Sequence, residues 1–405
     1  CTVRYHGLRL AVRSCPALIP NDRNAIRICI GEIRRSVTKR PMRMTIQPQT
    51  QTKPTPDQIR AARQDNPKPR ERDFARDLGI AEADYLAAHI GADGALSVRR
   101  ILASPRELLD ELPKLGEVMS LTRNDSAVHE TIGTFGRFMA SGSAAAVFGD
   151  NINLRLFFRH WAHGFAVEKR DGDSVRRSLQ FFDPAGDAIQ KIHLRPASDL
   201  AAYEALVARL IAPDQSPAIT TTPYSQTPEE AVTTSDFTRR DDLRSRWTTM
   251  TDVHQFWDIL QQVGVSRHVA VQCVGEDCAW PLETGAIATI LDQVAAREID
   301  AMCFVGSRGC TQIYGGPIRN IKPMGPWLNI MDPGFHLHLR TDQIAEVWAL
   351  RRPIAEGQLS SVEAYDAEGR LIIQFFGARQ NGHDEPAEWR AIVDGLARIP
   401  HPLAA

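Results

Sequence analysis

The chemistry open to this chain of 405 residues rests largely on its twelve histidines and seven cysteines. The most informative of these is His254, in the stretch TTMTDVHQFWDIL at residues 248–260. Val253, Phe256, Trp257 and Leu260 recur at i, i+3, i+4 and i+7, the spacing of one apolar helix face. Thr251 is placed as an N-cap and Asp252 as a first-turn acid. His254 falls in that first turn, at the edge of the face. A neutral imidazole there can ligate a metal, move a proton or simply pack. Packing is the ordinary outcome for a single histidine beside an apolar stripe.

Two further histidine pairs have metal-like spacing. RHWAHG sets His160 and His163 three apart, and HLH sets His336 and His338 on one face of a strand. Neither pair has a carboxylate or thiolate near it in sequence, so both read as ordinary packed or surface rings. Cys273, Cys278, Cys303 and Cys310 match no zinc spacing and include no Cys-x-x-Cys. Scattered thiols of this kind suit a reducing cytoplasm. The chain contains no GxSxG, HExxH, Walker A or GxGxxG motif, which removes several large enzyme classes.

One ligand would use His254 and its neighbours together. Haem needs an axial donor for iron, flat apolar walls and cations for two propionates. His254 supplies the first, and Phe256, Trp257 and Phe304 suit the second. Arg155, Arg267, Arg352 and Arg379 suit the third, or the far side of the iron. Spacing alone does not bring these residues together, and each arginine taken singly reads as a solvated side chain.

The elements that must position them follow a repeated plan. NPKPRERDFARDLGIAEADYLAAHIG, residues 66–91, reads as helix, turn at Gly79, helix. SPRELLDELPKLG follows, with Ser104 and Glu107 spaced as a capping box and Pro105 at the first helical position. Strands are expected from 117 to about 194. Residues 212–240, rich in Pro, Thr and Ser, read as an exposed linker. Helices are expected again in 243–263 and 284–298, then strands, a helix-like DQIAEVWAL, and further strands. SLQFFDPAGDAIQKIHL at 178 lies over SVEAYDAEGRLIIQFFG at 361 without a gap, with Asp and Gly at the same turn positions. LLDELPKLGEVMSL at 108 is similar to ILDQVAAREIDAMCF at 290, and INLRLF at 152 to FHLHLR at 335. A repeat this long indicates duplicated domains and not solenoid units. The expected division is a leader over 1–58, halves over 59–211 and 241–400, and the linker between them.

Composition limits the partners. Lys and Arg total 48 against 49 Asp and Glu, for a net charge of −1, so no general basic field favours nucleic acid or anionic membrane. No apolar run approaches the roughly 18–20 residues of a spanning helix, so membrane insertion is not expected. Residues 1–43 differ from the rest: ten Arg or Lys, two acids, three cysteines and no sustained apolar period. They read as a start-site overcall or a disordered leader, with a mitochondrial-type presequence as the alternative, and Met44 as the natural start. The helix–Gly–helix over 72–91 has the outline of a DNA-binding helix-turn-helix regulator, an alternative of another class. Its second helix carries no Arg, Lys, Asn or Gln to read bases, and the ordinary αα-hairpin is the better reading.

LTRNDSAVHETIGTF, INLRLFFRHW, MTDVHQFWDIL, FVGSRGCTQIYGG, PWLNIMDPGFHLHL and RLIIQFFGARQ, in this order from about residue 60 to 398, together resemble the haemin-degrading factor family of the HemS/ChuS type. The resemblance implies an α+β fold of two tandem similar halves, each with a large antiparallel sheet and packed helices, and a haem cleft between them. It implies that His254 is the axial iron ligand and Arg155 the residue on the opposite face. Arg267, Phe304, Gln374 and Arg379 match further family positions, and His129 matches a second histidine linked to haem in the N-terminal half. Arg352 stands where the family has lysine, Phe376 where it has tyrosine, and Trp257 where a smaller side chain is usual. The implied role is cytoplasmic: carriage of imported haem within bacterial iron acquisition, with a haem importer or haem oxygenase as transfer partner. Some members are described as opening the porphyrin ring and others as chaperones, so enzymatic activity stays open here, as does monomer against dimer.

Overall fold

The computed structural model describes residues 53–149, 151–379 and 383–401. The expectations for residues 1–43 lie outside them. The described chain enters helix α1 (Pro56–Asp65) through a capping box, with Thr55 and Gln58 bonded to each other's backbone N–H and Pro56 in the first turn. The helix therefore begins inside the segment expected as leader to residue 58.

The remaining helices are α2 (Glu71–Asp77), α3 (Glu82–Ala87), α4 (Pro105–Leu109), α5 (Leu200–Leu210) and α6 (Pro228–Ala231) in the first part of the chain. The second part carries α7 (Arg240–Thr248), α8 (Gln255–Val263), α9 (Arg267–Cys273), α10 (Ala286–Ala296) and α11 (Ala387–Asp394). Ser104 precedes α4 as expected, yet its side chain makes no capping hydrogen bond.

Among the described residues, eighteen strands build the frame. The first nine are β1 (Leu96–Ile101), β2 (Gly116–Arg123), β3 (Ala127–Gly133), β4 (Arg137–Ser141), β5 (Ala144–Phe148), β6 (Asn153–Phe157), β7 (His163–Asp171), β8 (Ser174–Phe182) and β9 (Ala188–Ser198). The second nine are β10 (Ala279–Leu282), β11 (Ala301–Gly306), β12 (Cys310–Gly316), β13 (Ile321–Met324), β14 (Trp327–Asp332), β15 (Phe335–Arg340), β16 (Glu346–Ile354), β17 (Gly357–Tyr365) and β18 (Leu371–Gly377).

They form two nine-stranded sheets, ordered β1-β7-β8-β9-β2-β3-β15-β14-β13 and β10-β16-β17-β18-β11-β12-β6-β5-β4. Each strand has its counterpart at the same place in the other sheet, so the duplication is complete. The α+β architecture with two alike halves is the expected one. The sequence did not reveal that the halves exchange three strands: β4, β5 and β6 extend the second sheet, and β13, β14 and β15 extend the first. The turns repeat too. Asp183 Oδ1 accepts the N–H groups of Ala185 and Asp187, and Asp366 Oδ1 accepts those of Glu368 and Arg370. Gly186 and Gly369 close these turns with positive φ, where a side chain would be strained.

Two expectations change. DQIAEVWAL is not helical: after a short turn it enters β16, paired between β10 and β17. Val347, Trp348, Ala349 and Leu350 are all buried, because helices cover one face of the sheet and a second core covers the other. A strand buried on both faces loses its alternation and resembles a helix in sequence. The helix-turn-helix reading also fails. Every residue of α3, from Glu82 to Ala87, is buried, and the helix is packed into a core with Phe165 and Phe182. A recognition helix must enter a groove, and α3 has no surface to offer.

Candidate functional site: a histidine-headed cleft over the second sheet

Helix α8 starts three residues later than the expected Thr251 cap implies. Its N-cap is His254, whose side chain caps nothing. The entry turn is held by other groups. Gln255 Oε1 accepts the N–H of Thr251 at 2.9 Å, and Thr251 O accepts the N–H of Ala355 at 2.9 Å, tying the turn to the end of β16. Asp252 Oδ1 accepts the backbone N–H of His254 at 2.8 Å and lies 2.7 Å from its Nδ1. Those two bonds, backbone first, hold the Asp252 carboxyl below its ordinary pKa. The imidazole is anchored through Nδ1 while its side chain remains 87% exposed. Nε2 is left as the free nitrogen. Phe256, Ile259, Leu260 and Val263 bury the inner face of α8, whereas Trp257 is 59% exposed beside His254 and outside the core. The helix ends at Gly264, which adopts the left-handed conformation with φ 72.

Beneath this turn lies one face of the second sheet. Directly opposed residues of antiparallel strands share a face. The register pairs Arg155 with Thr311, Phe304 with Ile313 and Gln374, and Gln374 with Glu363. Arg155 and Phe304 thus share a face, although they come from opposite halves of the sequence. Val253, Met302 and Phe304 pack against Ile354, Leu359 and Phe376, so the turn bearing His254 rests on this apolar floor. From β11, which carries Phe304, to β6, which carries Arg155, is two inter-strand spacings, roughly 10 Å. Strand exchange is what brings Arg155 to the sheet that α8 covers.

Beside this floor, on the same face of the sheet, sits a buried charge cluster. Glu363 accepts from Arg267 through both oxygens, at 2.8 and 2.6 Å, and from Arg352 at 2.6 Å. Ser361 and the Tyr365 hydroxyl, at 3.0 and 2.7 Å, complete its shell, and Gln374 Oε1 accepts from Arg267 at 2.8 Å. Burial works against the carboxylate, yet the two guanidiniums hold Glu363 at about 2. Two cations around one anion leave a net positive charge beside the floor. Arg267 lies 5.0 Å from the Phe256 ring centroid and Arg352 lies 4.8 Å from it. Arg352 is only 4% exposed, with its guanidinium 5.7 Å from the Phe376 ring centroid. Arg379 donates to His383 O at 3.0 Å, with Glu356 at 3.9 Å.

Arg155 is different. Its side chain donates only to Leu154 O, at 3.0 Å, and its guanidinium lies 5.0 Å from the Phe148 ring centroid. Among the described residues no carboxylate stands within ion-pair distance of it. His129 is placed elsewhere: on β3, 0% exposed, against Phe335, with burial pushing its pKa down to about 3. A ring so enclosed cannot meet a macrocycle without opening the core, and it belongs to no cleft. Sequence reading missed Glu363 and the positioning role of Asp252. The available signals were a carboxylate between Ser361 and Tyr365 in an apolar strand, and an acid two residues before the histidine.

The model of the haemin-degrading HemS.ChuX domain matches this chain twice, over residues 79–210 and 264–396. The chain belongs to the HemS/ChuX family. The hemin transport protein HmuS of Yersinia pestis is 36% identical over 339 residues, 84% of this chain and 95% of that protein. HemS of Yersinia enterocolitica, also a hemin transport protein, is 34% identical over 85% of this chain and 96% of its own length. Among solved structures, haem-loaded PhuS, a heme-binding protein of Pseudomonas aeruginosa, superposes with a TM-score of 0.81 at 34% identity, covering 85% of this chain and all of that one. ChuS, described as a heme oxygenase of Escherichia coli, superposes with a TM-score of 0.74 at 33% identity over 84% of this chain and 99% of its own. In HemS/ChuX terms, the matched repeats contain the strands that the two halves exchange. No helix among the described residues is long and apolar enough to cross a membrane.

Proposed function

We propose that this protein binds haem in the cleft between the α8 entry turn and the second sheet, and carries it in the cytoplasm during bacterial haem uptake. The observation that carries the reading is His254: an exposed imidazole, anchored at Nδ1 by Asp252, on a turn whose Val253 packs against the apolar patch of Ile354, Leu359 and Phe376. Metal-ligating histidines are commonly oriented by a carboxylate at the second nitrogen. The transport and heme-binding descriptions of its relatives support the same ligand. In this proposal His254 binds iron, Phe304 flanks the ring, and Arg379 meets a propionate. Arg267, Arg352 and Gln374 act from beside the floor, through fixed charge and by bracing Phe256. His129 is left out. A haem importer would supply the cargo and a haem oxygenase would receive it.

The test is haem titration of the purified chain, read at the Soret band. Saturation at one equivalent, with a spectrum that changes in His254→Ala, is expected; an unchanged spectrum would reject this ligand.

A second reading is favoured by one observation, the lack of a carboxylate partner for Arg155 among the described residues. A free guanidinium facing the iron could stabilise negative charge developing on a bound oxidant. The assay is a single turnover with ascorbate and catalase, analysed for linear tetrapyrroles. Catalase removes free peroxide, which destroys haem without an enzyme.

A further inference from the structure

The haem cleft makes no use of His336 and His338. Both lie on β15, two residues apart, and so on the same face of the first sheet. Aligning INLRLF with FHLHLR makes His338 the repeat counterpart of Arg155. The first sheet therefore presents imidazoles where the second presents a guanidinium.

Each ring is held at the same nitrogen by the strand beside it. His336 Nδ1 is 3.4 Å from Glu130 Oε2 on β3, its direct register partner. His338 Nδ1 is 2.6 Å from Asn329 Oδ1 on β14, also its register partner. Nε2 is then the remaining nitrogen of both rings. The His336 side chain is 28% exposed and His338 is half-buried. Residues two apart on a strand are separated by roughly 6.7 Å. The two Nδ1 contacts lie on opposite sides of β15, and the two Nε2 atoms above the strand can share one ion at the usual ~2.0–2.1 Å bond length.

We propose that His336 and His338 chelate a divalent transition-metal ion of the imidazole-preferring class, such as zinc, copper or nickel, with Glu130 as the neighbouring anion. Imidazole ligands suit these ions, and a partner at Nδ1 of each ring orients it for binding through Nε2. Among the described residues no three His, Cys, Asp or Glu side chains converge as a metal cluster. The site is accordingly an open two-imidazole chelate completed by water, weaker than a closed structural zinc site.

Tag-free, haem-free protein is titrated with Zn2+ by calorimetry, and its 1:1 Cu2+ complex is examined by electron paramagnetic resonance. One zinc equivalent is expected. It should weaken at least tenfold in His336→Ala and in His338→Ala, and persist in His254→Ala and His160→Ala. The copper spectrum should show hyperfine coupling from two imidazole nitrogens. Unchanged zinc affinity in the His336→Ala/His338→Ala double variant would overturn the proposal. So would a wild-type copper spectrum without two-nitrogen coupling, a result independent of how the variants fold. Occupation of His338 by a second equivalent of haem in place of the ion would also overturn it.

Discussion

Asp252 Oδ1 lies 2.7 Å from His254 Nδ1 and also accepts the His254 backbone N–H at 2.8 Å. One carboxylate oxygen thus sets both the backbone entry to α8 and the orientation of the imidazole. A carboxylate at Nδ1 makes the opposite nitrogen a stronger donor. Asp252→Asn keeps the approximate shape and removes the charge. Haem affinity is expected to fall about 10-fold, within the usual range for an outer partner. The iron reduction potential is expected to rise, measured by potentiometric titration. An unchanged potential would remove Asp252 from the account.

The Arg267–Glu363–Arg352 cluster predicts a large stability effect. Glu363→Gln leaves two buried guanidiniums without their anion, and breaking a buried pair in this way costs about 3–5 kcal/mol. Tyr365→Phe removes one hydrogen bond to a charged group, about 1.5–3 kcal/mol. Urea denaturation of the haem-free protein should rank them in that order. A Glu363→Gln protein as stable as the parent would contradict the assignment.

Acid should destabilise the fold in two overlapping windows. Burial depresses His129 to about 3 and His193 to about 4, from an ordinary 6.5. The folded state keeps both rings neutral while the unfolded state takes up protons, so their contribution is complete above pH 6.5 and is lost as pH falls through the folded values. Glu363, held at about 2 against an ordinary 4.5, contributes fully above pH 4.5 and loses its contribution toward pH 2. His129→Leu should therefore lose less stability than the parent between pH 7 and pH 5, measured as urea midpoints.

Arg155→Ala should separate binding from whatever happens at the far face of the iron. Because His254 remains, affinity should fall by less than about 10-fold, one hydrogen bond's worth at most. The visible spectrum should still change, as the group opposite the imidazole is lost. Any ring-opening activity in ascorbate and catalase should drop more than affinity does. Arg155→Lys should restore less than full activity, since an ammonium lacks the planar fork.

How much of this was legible in the sequence depends on the kind of information. Period and turn chemistry survive in sequence, so the duplication, the Asp–Gly turns and part of the apolar face of α8, Phe256 and Leu260, could be read directly. Strand partnership does not survive, because a period-2 pattern says which face is buried and nothing of which strand lies alongside. The exchange of β4–β6 for β13–β15 was invisible for that reason, and with it the physical cause that Arg155 shares a sheet with Phe304. Val347 to Leu350 were misread as helical because burial on both faces erased the alternation. Spacing places Trp257 on the core face, yet the face that α8 buries is Phe256, Ile259, Leu260 and Val263, and Trp257 lies off it. His254 was weak as a lone residue and became specific only through the ordered resemblance around it. Arg352 was legible as a charge but not as a buried one.

The central claim is that His254 Nε2 is the iron ligand. Its most direct measurement is resonance Raman spectroscopy of the ferrous haem complex, comparing the parent with His254→Ala with and without added imidazole. The account predicts an iron–histidine stretching band that is present in the parent, absent in His254→Ala, and replaced by an iron–imidazole band when free imidazole fills the space. The same band in His254→Ala without imidazole would contradict the account and place the iron on another residue.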